Sequence, residues 1–354
     1  NASFYNITWT KLGEILNVSL AYSTNNGTTF PNSITTSYNA SASPYTTWKI
    51  PDAISTYLRV NVSDADNPTI YNFSSNNFAI KGSVLVISPN GNEEWVKGEN
   101  RSIQWKPTGT YPGNVKIYYS NASGADGTWT EIGTASAGAD NTTQTWYWNP
   151  VKDDLSVNGV IKVETQTGTP SIEANDTSNA TFKLLGNVTV TAPSGGVRYA
   201  GEYALINWTS AGTITPVLIQ YSIENGTLSD IEAEVPATNG TNSYNWTPIP
   251  NSLNSEYVRI KVSDNRTEFN SLIYNLSAPI AIRPRINVTA PALNENVYAN
   301  SSTTPIRWTY TGSSIANVSI EYSLNGGINW TNIANNVPVT DNGTYVWPRV
   351  PSAP

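Results

Sequence analysis

The chain has 354 residues, with 26 acidic and 19 basic side chains, a net charge of −7, and no cysteine, histidine or methionine. That composition rules out disulfide scaffolds, thiolate sites, Ser-His-Asp catalysis and the usual zinc sets. It also leaves no basic patch for nucleic acid or anionic lipid. No apolar run approaches the roughly 18 residues a membrane span needs, and no signal peptide is visible, so the chain reads as a processed or internal piece. In chain order, an Ile-x-Trp step appears at Ile7/Trp9, Ile103/Trp105, Ile206/Trp208 and Ile306/Trp308. A Tyr follows at Tyr22, Tyr119, Tyr221 and Tyr322, and a second Trp at Trp48, Trp148, Trp246 and Trp347. The period of roughly 100 residues is that of one β-sandwich and far exceeds solenoid or propeller repeats.

Four domains follow from the repeat, at 1–81, 83–184, 187–282 and 286–354. The first has no strand before Ile7, where the later ones carry Val84–Pro89, Val188–Pro193 and Ile286–Pro291. The last ends soon after Trp347, before counterparts of Tyr57–Val62 and Phe78–Ile80. Such ends fit a piece of a longer array, or a polymer in which a neighbouring subunit supplies the missing strands. Within each domain apolar residues alternate, as in Val217/Ile219/Tyr221 and Val318/Ile320/Tyr322, and Asn-Gly or Gly-Gly steps separate the runs. No helical period is found. About seven strands per domain predict an all-β tandem array of antiparallel immunoglobulin-like or fibronectin-like sandwiches. The junctions Ile80–Val84, Leu184–Asn187 and Ile282–Ile286 are too short for flexible linkers, which predicts stiff joints.

Asn-x-Ser/Thr occurs about two dozen times, where composition alone would give about ten. The candidate glycosylation sites are Asn6, Asn17, Asn26, Asn39, Asn61, Asn72, Asn100, Asn121, Asn141, Asn175, Asn179 and Asn187. They continue with Asn207, Asn225, Asn239, Asn245, Asn265, Asn275, Asn287, Asn300, Asn317, Asn329 and Asn342. N-glycosylation implies a secretory route and an extracellular chain. In triplets such as Asn207-Trp208-Thr209, Asn61-Val62-Ser63, Asn287-Val288-Thr289 and Asn329-Trp330-Thr331, period two sends the middle residue to the core and the Asn to solvent. Sugar would then coat the sheet faces themselves.

Nothing here builds an enzyme. The carboxylate pairs Asp153-Asp154 and Glu93-Glu94 do not recur, and adjacent strand residues face opposite ways. Asp64 and Asp66 offer the oxygen ligands calcium favours, against the plainer reading of an acidic loop. The repeated Trp and Tyr positions read as core, with Trp95, Trp129 and Trp146 left open between core and a sugar platform. The stretches Ser23–Phe30 and Ser323–Trp330 resemble the Asp-box hairpin of sialidases, with Asn in the Asp place. In that family the motif is a folding device away from the catalytic centre, so it is read here as turn chemistry.

Pro89-Asn90-Gly91-Asn92-Glu93-Glu94-Trp95-Val96-Lys97-Gly98, together with the Ile-x-Trp, Tyr-Ser and Trp-x-x-Pro steps, resembles the Ig-like surface repeats of archaea and bacteria. It is also similar to the Kre9/KNH-type domain of fungal wall proteins. Tyr199 and Tyr298 stand near the Trp95 place in the later domains. The resemblance implies a surface location. The expected role is a glycosylated structural repeat of an extracellular filament, sheath or S-layer, with an archaeal source favoured by dense sequons without disulfides. It would self-associate, with no nucleic acid partner and no cofactor beyond N-linked glycans. The alternatives are an adhesin or carbohydrate-binding stalk with a tip outside this segment, and the accessory array of a secreted hydrolase.

Overall fold

The computed structural model describes residues 4–111, 113–169, 172–339 and 343–352. It is all-β, with no α-helix among the described residues. The chain forms two compact units, Asn1–Leu185 and Gly186–Pro354, each carrying two sandwiches.

In the first unit, the opening sandwich contains β1 (Phe4–Ile7), β2 (Asn17–Ser23), β3 (Asn32–Asn39), β4 (Tyr45–Lys49), β5 (Ser55–Asp64), β6 (Tyr71–Phe73) and β7 (Phe78–Ile80). The next contains β8 (Ser83–Ser88), β9 (Glu94–Val96), β10 (Arg101–Thr108), β11 (Asn114–Ser120) and β12 (Thr130–Ser136). It closes with β13 (Gln144–Trp148), β14 (Ser156–Gln166), β15 (Asn175–Thr177) and β16 (Phe182–Leu185). In the second unit come β17 (Asn187–Ala192), β18 (Val197–Tyr199), β19 (Ala204–Ala211), β20 (Val217–Ile223) and β21 (Leu228–Val235). They are followed by β22 (Gly240–Trp246), β23 (Ser255–Asp264), β24 (Tyr274–Leu276) and β25 (Ile280–Arg283). The last sandwich holds β26 (Arg285–Ala290), β27 (Thr304–Thr311), β28 (Asn317–Tyr322), β29 (Thr331–Pro338) and β30 (Thr344–Trp347).

The strand order is immunoglobulin-like. One sheet of the second sandwich runs β13-β10-β8 and the other β12-β11-β14-β16-β9, so the chain crosses between sheets from β12 to β13. The third sandwich repeats this as β17-β19-β22 and β18-β25-β23-β20-β21. The first pairs β1-β4 and β3-β2-β5-β6, with β7 on β5, and the fourth pairs β26-β27-β30 and β28-β29. Two strands exceed the antiparallel expectation. β9 pairs parallel with β16, and β18 with β25. Each has only three residues, too few to show a period, so the sequence revealed them only as the Trp95 motif and its Tyr199 counterpart.

The repeated residues are the core. Ile103, Trp105, Ile206 and Trp208 are fully buried, with Ile7, Ile306 and Trp308 close behind. The recurring Tyr meets the recurring second Trp across the two sheets, with ring centroids 5.9 Å apart for Tyr22–Trp48 and 5.2 Å for Tyr119–Trp148. Tyr221–Trp246 (5.4 Å) and Tyr322–Trp347 (5.2 Å) repeat the contact. Such pairs add roughly 0.5–1.5 kcal/mol beyond area burial, which explains why the two positions recur together. Burial pushes the Tyr119 hydroxyl pKa well up, and that hydroxyl donates to the Asp154 carbonyl (2.9 Å).

Candidate glycosylation faces and inter-sandwich joints

None of the candidate asparagines among the described residues is buried; Asn342 lies outside those residues. Asn17, Asn61, Asn207, Asn265 and Asn275 are half-buried and the rest are exposed. Two settings recur among them. Asn6, Asn187, Asn207 and Asn245 sit on strands with Ile7, Val188, Trp208 and Trp246 turned into the core beside them. Asn26, Asn141, Asn225 and Asn300 instead take positive φ (58° to 62°) in tight turns, the conformation that Asn tolerates best after glycine. Two side-chain amides are already engaged: Asn121 Nδ2 donates to Asp154 (2.8 Å) and Asn300 Nδ2 to Ser352 (3.3 Å).

The face rule fails at two triplets. Trp330 is 59% exposed, because Asn329 and Trp330 precede β29 and strand alternation does not yet apply. Its Nε1 donates to the Gly327 carbonyl (2.9 Å), so the ring lies on its own turn. Val288 is 62% exposed. In the third sandwich β23 and β24 pack over β17; strands in their places are absent beside β26 among the described residues, and Val288 stays bare. Of the rings left open, Trp95 is core (4% exposed), Trp146 is half-buried against that core, and Trp129 is half-buried under the Lys162 ammonium (5.0 Å).

The Asp-box-like stretches are turns held by side chains. Ser23 Oγ donates to Asn25 Oδ1 (2.7 Å) and accepts from Gly27 N–H (2.9 Å). Ser323 does the same with Asn325 (2.9 Å) and Gly327 (2.8 Å). Asp64 Oδ1 likewise accepts from the N–H of Asp66 (2.9 Å), while Asp66 itself is exposed. This is an Asx turn, with one of the Asp64 oxygens aimed into its own loop. Its counterpart Asp264 is fully buried and paired with Arg266 (2.6 Å). No group of three or more Asp or Glu side chains able to hold a metal ion occurs among the described residues.

Sequence reasoning missed one recurrent device. Asp176 on β15 accepts from the backbone N–H of Val86 on β8 (2.8 Å), and Asn275 on β24 accepts from Val190 on β17 (3.0 Å). The two acceptors are in equivalent register, opposite Val163 and Val262. Each fastens one sheet to the first strand of the other. Asn72 holds the same place opposite Val62 in the first sandwich, where no such strand lies among the described residues.

Within each unit the joint between sandwiches is bonded. Thr110 donates to Asp52 through both its N–H and its Oγ1 (2.6 Å each), and Ile54 packs against the core of the second sandwich. In the second unit, Ser313 N–H donates to the Asn251 carbonyl (2.8 Å), and Arg285 pairs with Glu202 (2.7 Å). Gly312 has φ +90°, and a Cβ there would lie 2.7 Å from Pro284 Cβ.

No family model matches the chain, and no curated protein does. Among solved structures it is similar to a titin tandem (16% identity, 56% of this chain and 95% of that one, TM-score 0.30). It is also similar to three N-terminal domains of the bacteriophage RB49 highly immunogenic outer capsid protein (13%, 80% and 94%, TM-score 0.27). A third is the polymeric Ig receptor ectodomain of a teleost fish (10%, 56% and 98%, TM-score 0.23). The chain is a tandem array of Ig-like sandwiches. That assignment rests on the strand order above.

Proposed function

We propose that the chain is the glycosylated structural repeat of an extracellular filament, sheath or S-layer, and that the surface is archaeal. The observation that carries this reading is the placement of the sequons. Their asparagines lie on sheet faces and turn tips, while the residues between Asn and Ser/Thr at Ile7, Val18, Val188, Trp208 and Trp246 build the cores. Attached sugar would leave every such core intact and would cover the polar faces, adding solubility and limiting lateral sticking. Bonded joints let sandwiches transmit force from one to the next. Faces between sequons serve as assembly contacts, and the open edges of β1 and β28 are where a strand from a neighbouring sandwich, in the same or another chain, would pair. N-linked glycans are the only added groups this role requires.

Electron microscopy of native material together with glycopeptide mapping tests the proposal. It expects a filament or lattice whose repeat matches a few sandwiches, with sugar on strand-face sequons. Unglycosylated native chains would remove the extracellular argument. Glycosylated but separate, non-associating chains would favour an adhesin or carbohydrate-binding stalk, a reading supported by exposed rings such as Tyr71, Tyr147 and Tyr203.

A further inference from the structure

The outer face of the first sandwich carries a feature that the others fill differently. Asn61 on β5 lies opposite Ala21 of β2 on one side and Phe73 of β6 on the other. Ser63, two residues on, lies between Ser19 and Tyr71. Residues directly opposite share a face, so Ser19, Ala21 and Ser63 form a low floor beside the Phe73 and Tyr71 rings. Those rings are near-parallel (15°), with centroids 6.5 Å apart, and Phe30 packs against Phe73 at 5.6 Å. Tyr71 is 59% exposed and Phe73 36%. Asn61 Oδ1 is buried at the base with no hydrogen-bond partner, and an orphaned buried acceptor is costly until a donor reaches it.

The equivalent positions in the second and third sandwiches are Lys162, opposite Tyr118 and Thr177, and Lys261, opposite Gln220 and Leu276. There the ammonium lies over aromatic faces: 4.6 Å from Tyr118 and 5.0 Å from Trp129 for Lys162, and 5.1 Å from Tyr274 for Lys261. The first sandwich replaces the lysine by a sequon Asn and the large opposite neighbour by Ala21. Arg59 covers Phe73 (guanidinium carbon 5.4 Å from the ring centroid), while Tyr71 keeps an exposed ring that Asn61 does not cap with a cation. A pyranose presents a face of weakly positive C–H bonds, which suits the negative face of an aromatic ring as an ammonium does.

We propose that this trough seats the first pyranose of an N-glycan carried by Asn61, with its C–H face on the exposed Tyr71 ring and a hydroxyl or acetamido N–H donating to Asn61 Oδ1. The inference rests on the glycoprotein reading above. It makes this one sugar part of the packing of the sandwich, unlike the glycans on turn tips.

The test uses the full chain expressed in an N-glycosylating host, with occupancy read by glycopeptide mass spectrometry and carbon–proton NMR of the labelled glycans. The expected result is an occupied Asn61 whose first sugar has ring protons shifted upfield by the aromatic currents, relative to sugars elsewhere. Ser63→Ala removes the sequon but keeps Asn61 and both rings, and should delete those resonances alone. Tyr71→Ser and Tyr71→Leu should each return the sugar toward ordinary shifts while occupancy persists. Two variants are used so that one failing to fold leaves the other informative. Asn61 bare while other sequons are occupied overturns this inference and leaves the glycoprotein reading standing. An occupied Asn61 with unshifted sugar protons also overturns it. Sugar on none of the sequons overturns both.

Discussion

At the scale of single residues, a few side chains decide whether two sheets stay together. Asp176 is the clearest case, since its carboxylate takes the N–H of Val86 across 90 residues of chain. Asp176→Ala leaves that donor unpaired at a part-buried site and should lower stability by about 1–3 kcal/mol, read by denaturant unfolding. Asp176→Asn in unglycosylated protein should cost far less, because Asn275 makes the same bond in the third sandwich. Equal losses from the two variants would sink the clamp. This residue also marks the limit of what sequence reading reveals. Trp105 and Trp208 were legible because alternation and a regular repeat both point inward, and both are buried. The clamp was not legible, because its acceptor changes from Asp to Asn and its partner is a backbone group far away in sequence. Trp330 departs from the alternation for a local reason: it stands one residue before β29 begins.

At the scale of elements, the joints were legible as short connections but their chemistry was not. Asp52 and Asn251 lie in loops whose partners, Thr110 and Ser313, belong to the following sandwich. Gly312 is the sharpest point of the second joint. An added methyl at φ +90° would be strained and would press on Pro284. Gly312→Ala should therefore destabilise the last sandwich by about 1–3 kcal/mol, seen as faster hydrogen exchange across β27. Unchanged exchange there would show that the joint does not support the domain. The ion pair of Arg283 with Glu256 (2.7 Å) sits at the end of β25, just before that joint. Hydrogen bonding from the guanidinium holds the Glu256 carboxyl below its ordinary value of 4.5. A lowered carboxylate contributes stability that is complete above the unfolded value and is lost as pH falls through the folded one. The difference between wild type and Glu256→Gln should thus be present at neutral pH and vanish well below pH 4.5. A difference that persists in acid would assign the effect to packing instead. Both groups are solvent-exposed, so the difference should also shrink with added salt.

At the scale of the whole molecule, stability should be uneven along the chain. No disulfide ties the sandwiches together, so each depends on its own core and on its joints. The second sandwich buries a continuous cluster from Val84 to Leu184 that includes Trp95, Trp105, Trp148 and Phe182. Among the described residues, the fourth buries Ile306, Trp308 and Ile320 in its cluster, with Tyr310, Val318 and Trp347 half-covered around them. Two strands, β28 and β29, make up its second sheet among the described residues, and two-stranded ladders are marginal in water. Amides of β27 and β28 should therefore exchange much faster than those of β10 and β11. Heating should melt the last sandwich in a separate, earlier transition. Association would narrow this gap: a strand added beside β28 would give that sheet a third strand, and exchange in the last sandwich would slow with protein concentration. Protection that is low and independent of concentration means that no second chain covers this edge. Uniform protection in all four sandwiches of the dilute chain would show instead that the joints, not the individual cores, set stability throughout the array.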